Sequence, residues 1–130
     1  MNKEEFINNT QLFQSVISKQ LTDVPYGHLW LNGIKKMLQS KMNLEVIRRD
    51  LKVLTAHCQH GSVLDFGCGS GYLALLLAKM GYNVNAIDIN SYVTYNKSDY
   101  NDIMTKDQQN LWTQLTKIDS RLTFSHYTDQ

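Results

Sequence analysis

One stretch, Val63 to Asn90, constrains the fold of this chain more than any other: VLDFGCGSGYLALLLAKMGYNVNAIDIN. A short apolar run reaches Asp65 and Phe66, enters a turn with glycine at 67, 69 and 71, and becomes an apolar helical segment from Gly71 to Met80. Gly81 stops that segment, and NVNAID follows as a second run ending on Asp88. This order predicts strand, helix, strand, with a right-handed βαβ unit as the expected topology. A helical stripe at Leu111, Trp112, Leu115 and Ile118 then leads into RLTFSHY, which reads as a third strand. The expected fold class is therefore α/β, half of a doubly wound parallel sheet with about three strands.

The residues before Ser62 read as helices. Phe6, Phe13, Val16, Ile17 and Leu21 fall near a 3.6-residue period, and so do Trp30, Ile34, Met37, Leu38 and Met42. Leu44, Ile47, Leu51 and Leu54 make a third stripe, with Asn43 as expected N-cap and Gly61 as stop. The single proline, Pro25, separates the first helix from the second. Two parts follow: an N-terminal helical cap over 1–60 and a ligand-binding α/β half over 61–130. Residues 89–105, polar and rich in Asn and Tyr, are expected to form a connection between strand and helix.

Ligands of open parallel sheets bind beyond the carboxyl ends of the strands, where Asp65 and Asp88 both fall. Glycine lets the backbone turn sharply and lets a ligand approach it, and the helix start beyond offers unpaired N–H groups. An acid at the position of Asp88 can accept hydrogen bonds from both hydroxyls of a ribose. A nucleoside triphosphate site would need GxxxxGK[ST], and no lysine follows these glycines. A dinucleotide site would want GxGxxG, and its third position here is Tyr72. The observed GxGxG after Asp65 suits a ligand carrying one carboxylate and one ammonium rather than a pyrophosphate.

VLDFGCGSG followed by AIDIN resembles the first motif and the acidic strand end of class I S-adenosylmethionine-dependent methyltransferases, which are Rossmann-like. The resemblance covers residues 62–90 well and reaches loosely to 130. It implies that S-adenosylmethionine is the cofactor and that Asp65 orients its ammonium. It also implies that Phe66, Gly67, Cys68 and Gly69 lend backbone to the methionyl and ribose parts, and that Gly71 allows close helix packing. Asp88 would bind the ribose hydroxyls, Ile89 would pack on the adenine, and Asp129 would reach the adenine amino group. The family's sheet has seven strands, and this chain supplies three, so the cofactor-binding portion is expected without the acceptor-side residues. The parent protein is expected to methylate an unidentified acceptor, with this chain a truncated, by itself inactive form. The rival readings are an inactive methyltransferase-like interaction module and, more remotely, a nicotinamide-dependent oxidoreductase fragment.

Other candidates carry less. His57, Cys58 and His60 cluster in AHCQH, but no second pair lies at zinc-finger spacing, so no metal is expected and a helix C-terminus is the simpler reading. His126 and Tyr127 fall near the end of the third strand and can face the ligand mouth. Tyr26 and His28 follow Pro25 in a segment able to fold over a cofactor, with core packing or a turn as the simpler role. Tyr92, Tyr95 and Tyr100 are candidates for acceptor or partner contacts, although such a stretch is more often just an exposed loop.

The chain has 130 residues, 42% hydrophobic and 19% charged, enough for one domain with a core. A net charge of +1 gives no electrostatic case for nucleic acid or an anionic membrane. Two cysteines make no disulfide framework, MNKEEFINN has no apolar signal core, and the run Tyr72–Ala78 is too short to span a bilayer. A soluble, cytoplasmic protein is expected. The free edge of the first strand calls for a covering partner, a homodimer or another subunit, and a monomer with no edge pairing in solution would count against that.

Overall fold

The computed structural model describes residues 1–24, 28–58, 61–89 and 99–127, with 99–102 described by their backbone only. Helix α1 spans Lys3–Asp23, and Asn2 caps it by accepting the Glu5 N–H at 2.8 Å. Its inward stripe is Phe6, Phe13 and Ile17, as the periodicity predicts, with Thr10 and Gln20 on the same buried side.

Helix α2, Leu29–Met37, buries Ile34 and, just past its end, Leu38 from the expected stripe, but its most buried residue, Leu31, lies outside that stripe. Leu31 is fully buried, with Ile34 and Leu38 beside it, whereas Trp30 is half-buried and Met37 exposed. Met42 belongs to the next helix and is 75% exposed. The chain breaks at Ser40, whose hydroxyl accepts the Asn43 N–H at 3.4 Å, so Ser40 rather than Asn43 caps α3, Lys41–His57. That helix ends in the extended residue Cys58, ahead of Gly61, so Gly61 does not cap it. Leu51 is its one buried residue.

Three parallel strands follow in the order β1 (Ser62–Phe66), β2 (Asn83–Ile89), β3 (Leu122–Tyr127). Helix α4, Tyr72–Lys79, joins the first two. Helix α5, Asp99–Ile118, precedes β3 and begins well before the stripe at Leu111, so the second half of the expected polar connection is helical. Val63, Val84 and Leu122 share a register row, as do Asp65, Ala86 and Phe124, and both rows lie on the helix-covered face. Leu64, Asn85, Thr123 and Ser125 alternate with them onto an open face. Among the described residues nothing pairs with the outer edge of β1.

Outside α4 and α5 lies α1. Phe13 meets the Tyr72 ring with centroids 5.0 Å apart, and the Tyr72 hydroxyl bonds Thr10 Oγ1 at 2.5 Å. Leu75, Leu76, Leu77, Leu111 and Leu115 are at most 1% exposed between these layers. Each such side chain contributes about 1.5–3 kcal/mol through burial. No helix among the described residues is long and apolar enough to cross a membrane.

The turn into β3 carries a pH-dependent contribution to stability. Asp119 accepts hydrogen bonds from Arg121 Nε at 2.9 Å and Nη2 at 2.7 Å, and from the Arg121 backbone at 3.0 Å. The Arg121 side-chain bonds, working against burial, hold the Asp119 carboxyl below the usual carboxylate range. The stabilisation is therefore present above that range and is lost as pH falls through the depressed value. Because Arg121 is solvent-facing, Asp119→Asn is expected to cost only about 1 kcal/mol at neutral pH. In urea titrations it should also flatten the acid limb of the stability profile, and an unchanged limb would exclude this role for Asp119.

Candidate functional site

The carboxyl ends of β1 and β2 meet at the glycine turn. Gly67 and Cys68 both donate their N–H to the Ile87 carbonyl, at 2.8 and 3.0 Å, which ties the turn to the end of β2. Gly67, Gly69 and Gly71 all have positive φ. A Cβ on Gly69 would meet no neighbour within 4 Å, so the turn presents bare backbone to open space there. Gly71 serves packing instead: a Cβ would sit 2.7 Å from Phe124 Cε1 and 3.0 Å from Leu115 Cδ1. The glycine at the N-cap of α4 thus lets that helix close onto the face of the sheet.

Asp65 stands on the helix-covered side at the end of β1, and its Oδ2 is buried with no hydrogen-bond partner among the described residues. Burial, and next the charge of Asp88, push its carboxyl above the usual range. An orphaned acceptor beside a second carboxylate favours a ligand that brings a positive charge and N–H donors.

Asp88 is 7% exposed and anchors the turn from the other side. Its Oδ2 accepts the Gly69 N–H at 3.0 Å and Gln108 Nε2 at 3.0 Å, while Oδ1 accepts the Ile89 N–H at 2.8 Å. A carboxylate oxygen takes about two hydrogen bonds, so among the described residues Oδ2 is filled and Oδ1 has one acceptor position left.

Cys68 lies half-buried within the turn. Burial first, then Asp65 and Asp88, push its thiol up to about 12, which keeps it protonated at neutral pH. Among the described residues no group of three or more His, Cys, Asp or Glu side chains is placed to hold a metal. Phe66 projects from the open face, 65% exposed, with its ring centroid 5.2 Å from that of Tyr127. Ile89, half-buried, follows Asp88 at the strand end. Asp129 lies outside the described residues, as do Tyr26, His60, Tyr92, Tyr95 and the side chain of Tyr100. His28 does not reach over the turn; its Nδ1 pairs at 2.5 Å with the buried carboxylate of Asp107 and fixes the start of α2 to α5.

Two site residues escaped the reading of the sequence. Gln108 and Trp112 on α5 both donate to the Gly69 carbonyl, at 2.9 and 3.0 Å, and His126, named from the sequence as able to face the ligand mouth, meets Gln108 Oε1 through Nε2 at 2.7 Å. Trp112 was visible only as a helix-stripe residue. The available signal for Gln108 was its phase: Met104, Gln108, Leu111 and Leu115 share one helical face, so a polar residue interrupts an apolar stripe.

Fold and site together define a Rossmann-like α/β protein with a glycine turn and two carboxylates at the strand ends. Residues 38–128 match the methyltransferase domain family, and the chain belongs to that family, in keeping with class I S-adenosylmethionine-dependent methyltransferases. No curated protein and no solved structure matches the chain.

Proposed function

We propose that this chain binds S-adenosylmethionine beyond the ends of β1 and β2 and forms the cofactor-binding portion of a methyltransferase whose acceptor is unidentified. The observation that carries this reading is the buried Oδ2 of Asp65, unpartnered among the described residues, beside a second carboxylate. An α-ammonium supplies both the charge and the donors that oxygen lacks. The bare backbone at Gly69 admits a ligand to the turn, and Asp88 Oδ1 is left to accept one ribose hydroxyl. Ile89 is assigned to the adenine face, and Asp129 to its amino group. When bound, the cofactor supplies an electrophilic methyl group on a sulfonium. The chain's own contribution is to hold that group in place, which is the larger part of an in-line transfer.

Calorimetric titration with S-adenosylhomocysteine tests the reading. Saturable binding is expected, weakened at least about tenfold in Asp88→Asn, which removes the outward negative charge. NADH is expected not to saturate. A folded sample that takes up no S-adenosylhomocysteine would overturn the assignment, and saturation by NADH would redirect it to a nicotinamide cofactor.

A further inference from the structure

We propose that Gln108 is a positioning residue of the ligand site, an amide clasp that holds Asp88 and the glycine turn in the geometry that receives the ribose. The proposal rests on the cofactor reading above. Gln108 is 4% exposed, and its Nε2 spends both protons within the site, one on the Gly69 carbonyl at 2.9 Å and one on Asp88 Oδ2 at 3.0 Å. Both of those partners are acceptors, so the amide orientation is determined: nitrogen towards the turn, oxygen towards His126. His126 must then donate its Nε2–H to Gln108 Oε1 across 2.7 Å.

The consequence for the ligand runs through Asp88. Gly69 N–H and Gln108 fill Oδ2, which among the described residues leaves Oδ1, bonded only to the Ile89 N–H, as the oxygen with capacity for a hydroxyl. The Gly69 carbonyl is likewise claimed from within, by Gln108 and by Trp112 Nε1 at 3.0 Å. One helix thereby pins both the acid and the peptide of the turn. Without the amide, Asp88 is held only by the Gly69 and Ile89 N–H groups, and the Gly69 carbonyl keeps Trp112 as its single anchor.

Gln108→Leu keeps the bulk and removes every polar contact. It is expected to weaken S-adenosylhomocysteine at least about tenfold, while Gln108→Leu/Asp88→Asn binds no more weakly than Asp88→Asn alone, because the first residue acts through the second. Gln108→Glu adds a pH readout that general loosening of the fold would not give. Protonated, its O–H restores one of the two donations; ionised, it opposes Asp88 and the Gly69 carbonyl. Its affinity should therefore fall as pH rises between about 5.5 and 8, where the wild-type affinity holds or rises. Wild-type binding with Gln108→Leu within about twofold, or with losses that add in the double variant, overturns the clasp and leaves the cofactor reading standing. No binding by the wild-type chain overturns both. Should Gln108→Leu fail to fold, Gln108→Glu decides alone, and affinity that does not fall with pH overturns the proposal.

Discussion

Asp65→Asn is expected to make the free chain more stable and to lower its affinity for S-adenosylhomocysteine about a hundredfold. The two effects share one cause. In the free chain the buried Oδ2 has no partner among the described residues, and burial with the charge of Asp88 raises the carboxyl above its ordinary value. A raised carboxyl contributes its stability below the unfolded value and loses it as pH rises through the folded one, so at neutral pH the ionised group is a liability. An amide removes the charge. Because the rest of the residue is only half-buried, the gain is taken at the low end, about 1 kcal/mol. For a domain of this size that corresponds to about 3–5 °C in the thermal midpoint. The same liability is what an ammonium-bearing ligand relieves. Wild-type affinity should accordingly rise with pH from the ordinary carboxylate range upward, with proton release on binding that the variant lacks. A variant that melts lower and keeps its affinity would exclude Asp65 from the site.

Gly71→Ala should cost about 3 kcal/mol, the largest stability loss expected from adding one methyl group to this chain. At φ +87° an L side chain is already strained, and the new carbon would stand 2.7 and 2.8 Å from two ring atoms of Phe124. That ring has little freedom to move, because it stacks on Trp112 at 5.2 Å with planes 10° apart. Displacing it disturbs the indole that holds Gly69, so ligand affinity should fall together with stability. Urea unfolding should show a lower midpoint with an unchanged slope. Phe124→Leu in the same chain should recover the steric part of the loss and not the backbone part. A cost under about 1 kcal/mol would mean that α4 does not close on the sheet at this glycine.

The core of the fold was legible because its signals are local. Asp65, the three glycines, the leucine helix and Asp88 fall within one short segment, and each is recognisable from its neighbours along the chain. Turn geometry and strand ends depend on residues a few positions apart, so sequence order alone places the two acids at one mouth. Register and phase were less legible. Leu31, not Trp30, became the buried anchor of α2, since a short helix with apolar residues on several faces turns inward whichever side its neighbours accommodate. Met42, expected on a continuous stripe, ended exposed on a separate helix because Ser40 was free to cap it.

By itself the sequence determined the strand, glycine turn, helix and strand, and with them the position of Asp65 and Asp88 at the strand ends. Only the tertiary structure decided what those acids can do. The partners of Asp88 Oδ2 come from Gly69 and from Gln108, 19 and 20 positions away on different elements, and no pattern along the chain pairs them. Asp65 Oδ2 is buried because the folded layers close around it, and among the described residues they bring it no donor. Hydrogen-bond capacity is exhausted or left over by three-dimensional neighbours, and that remainder is what a ligand reads.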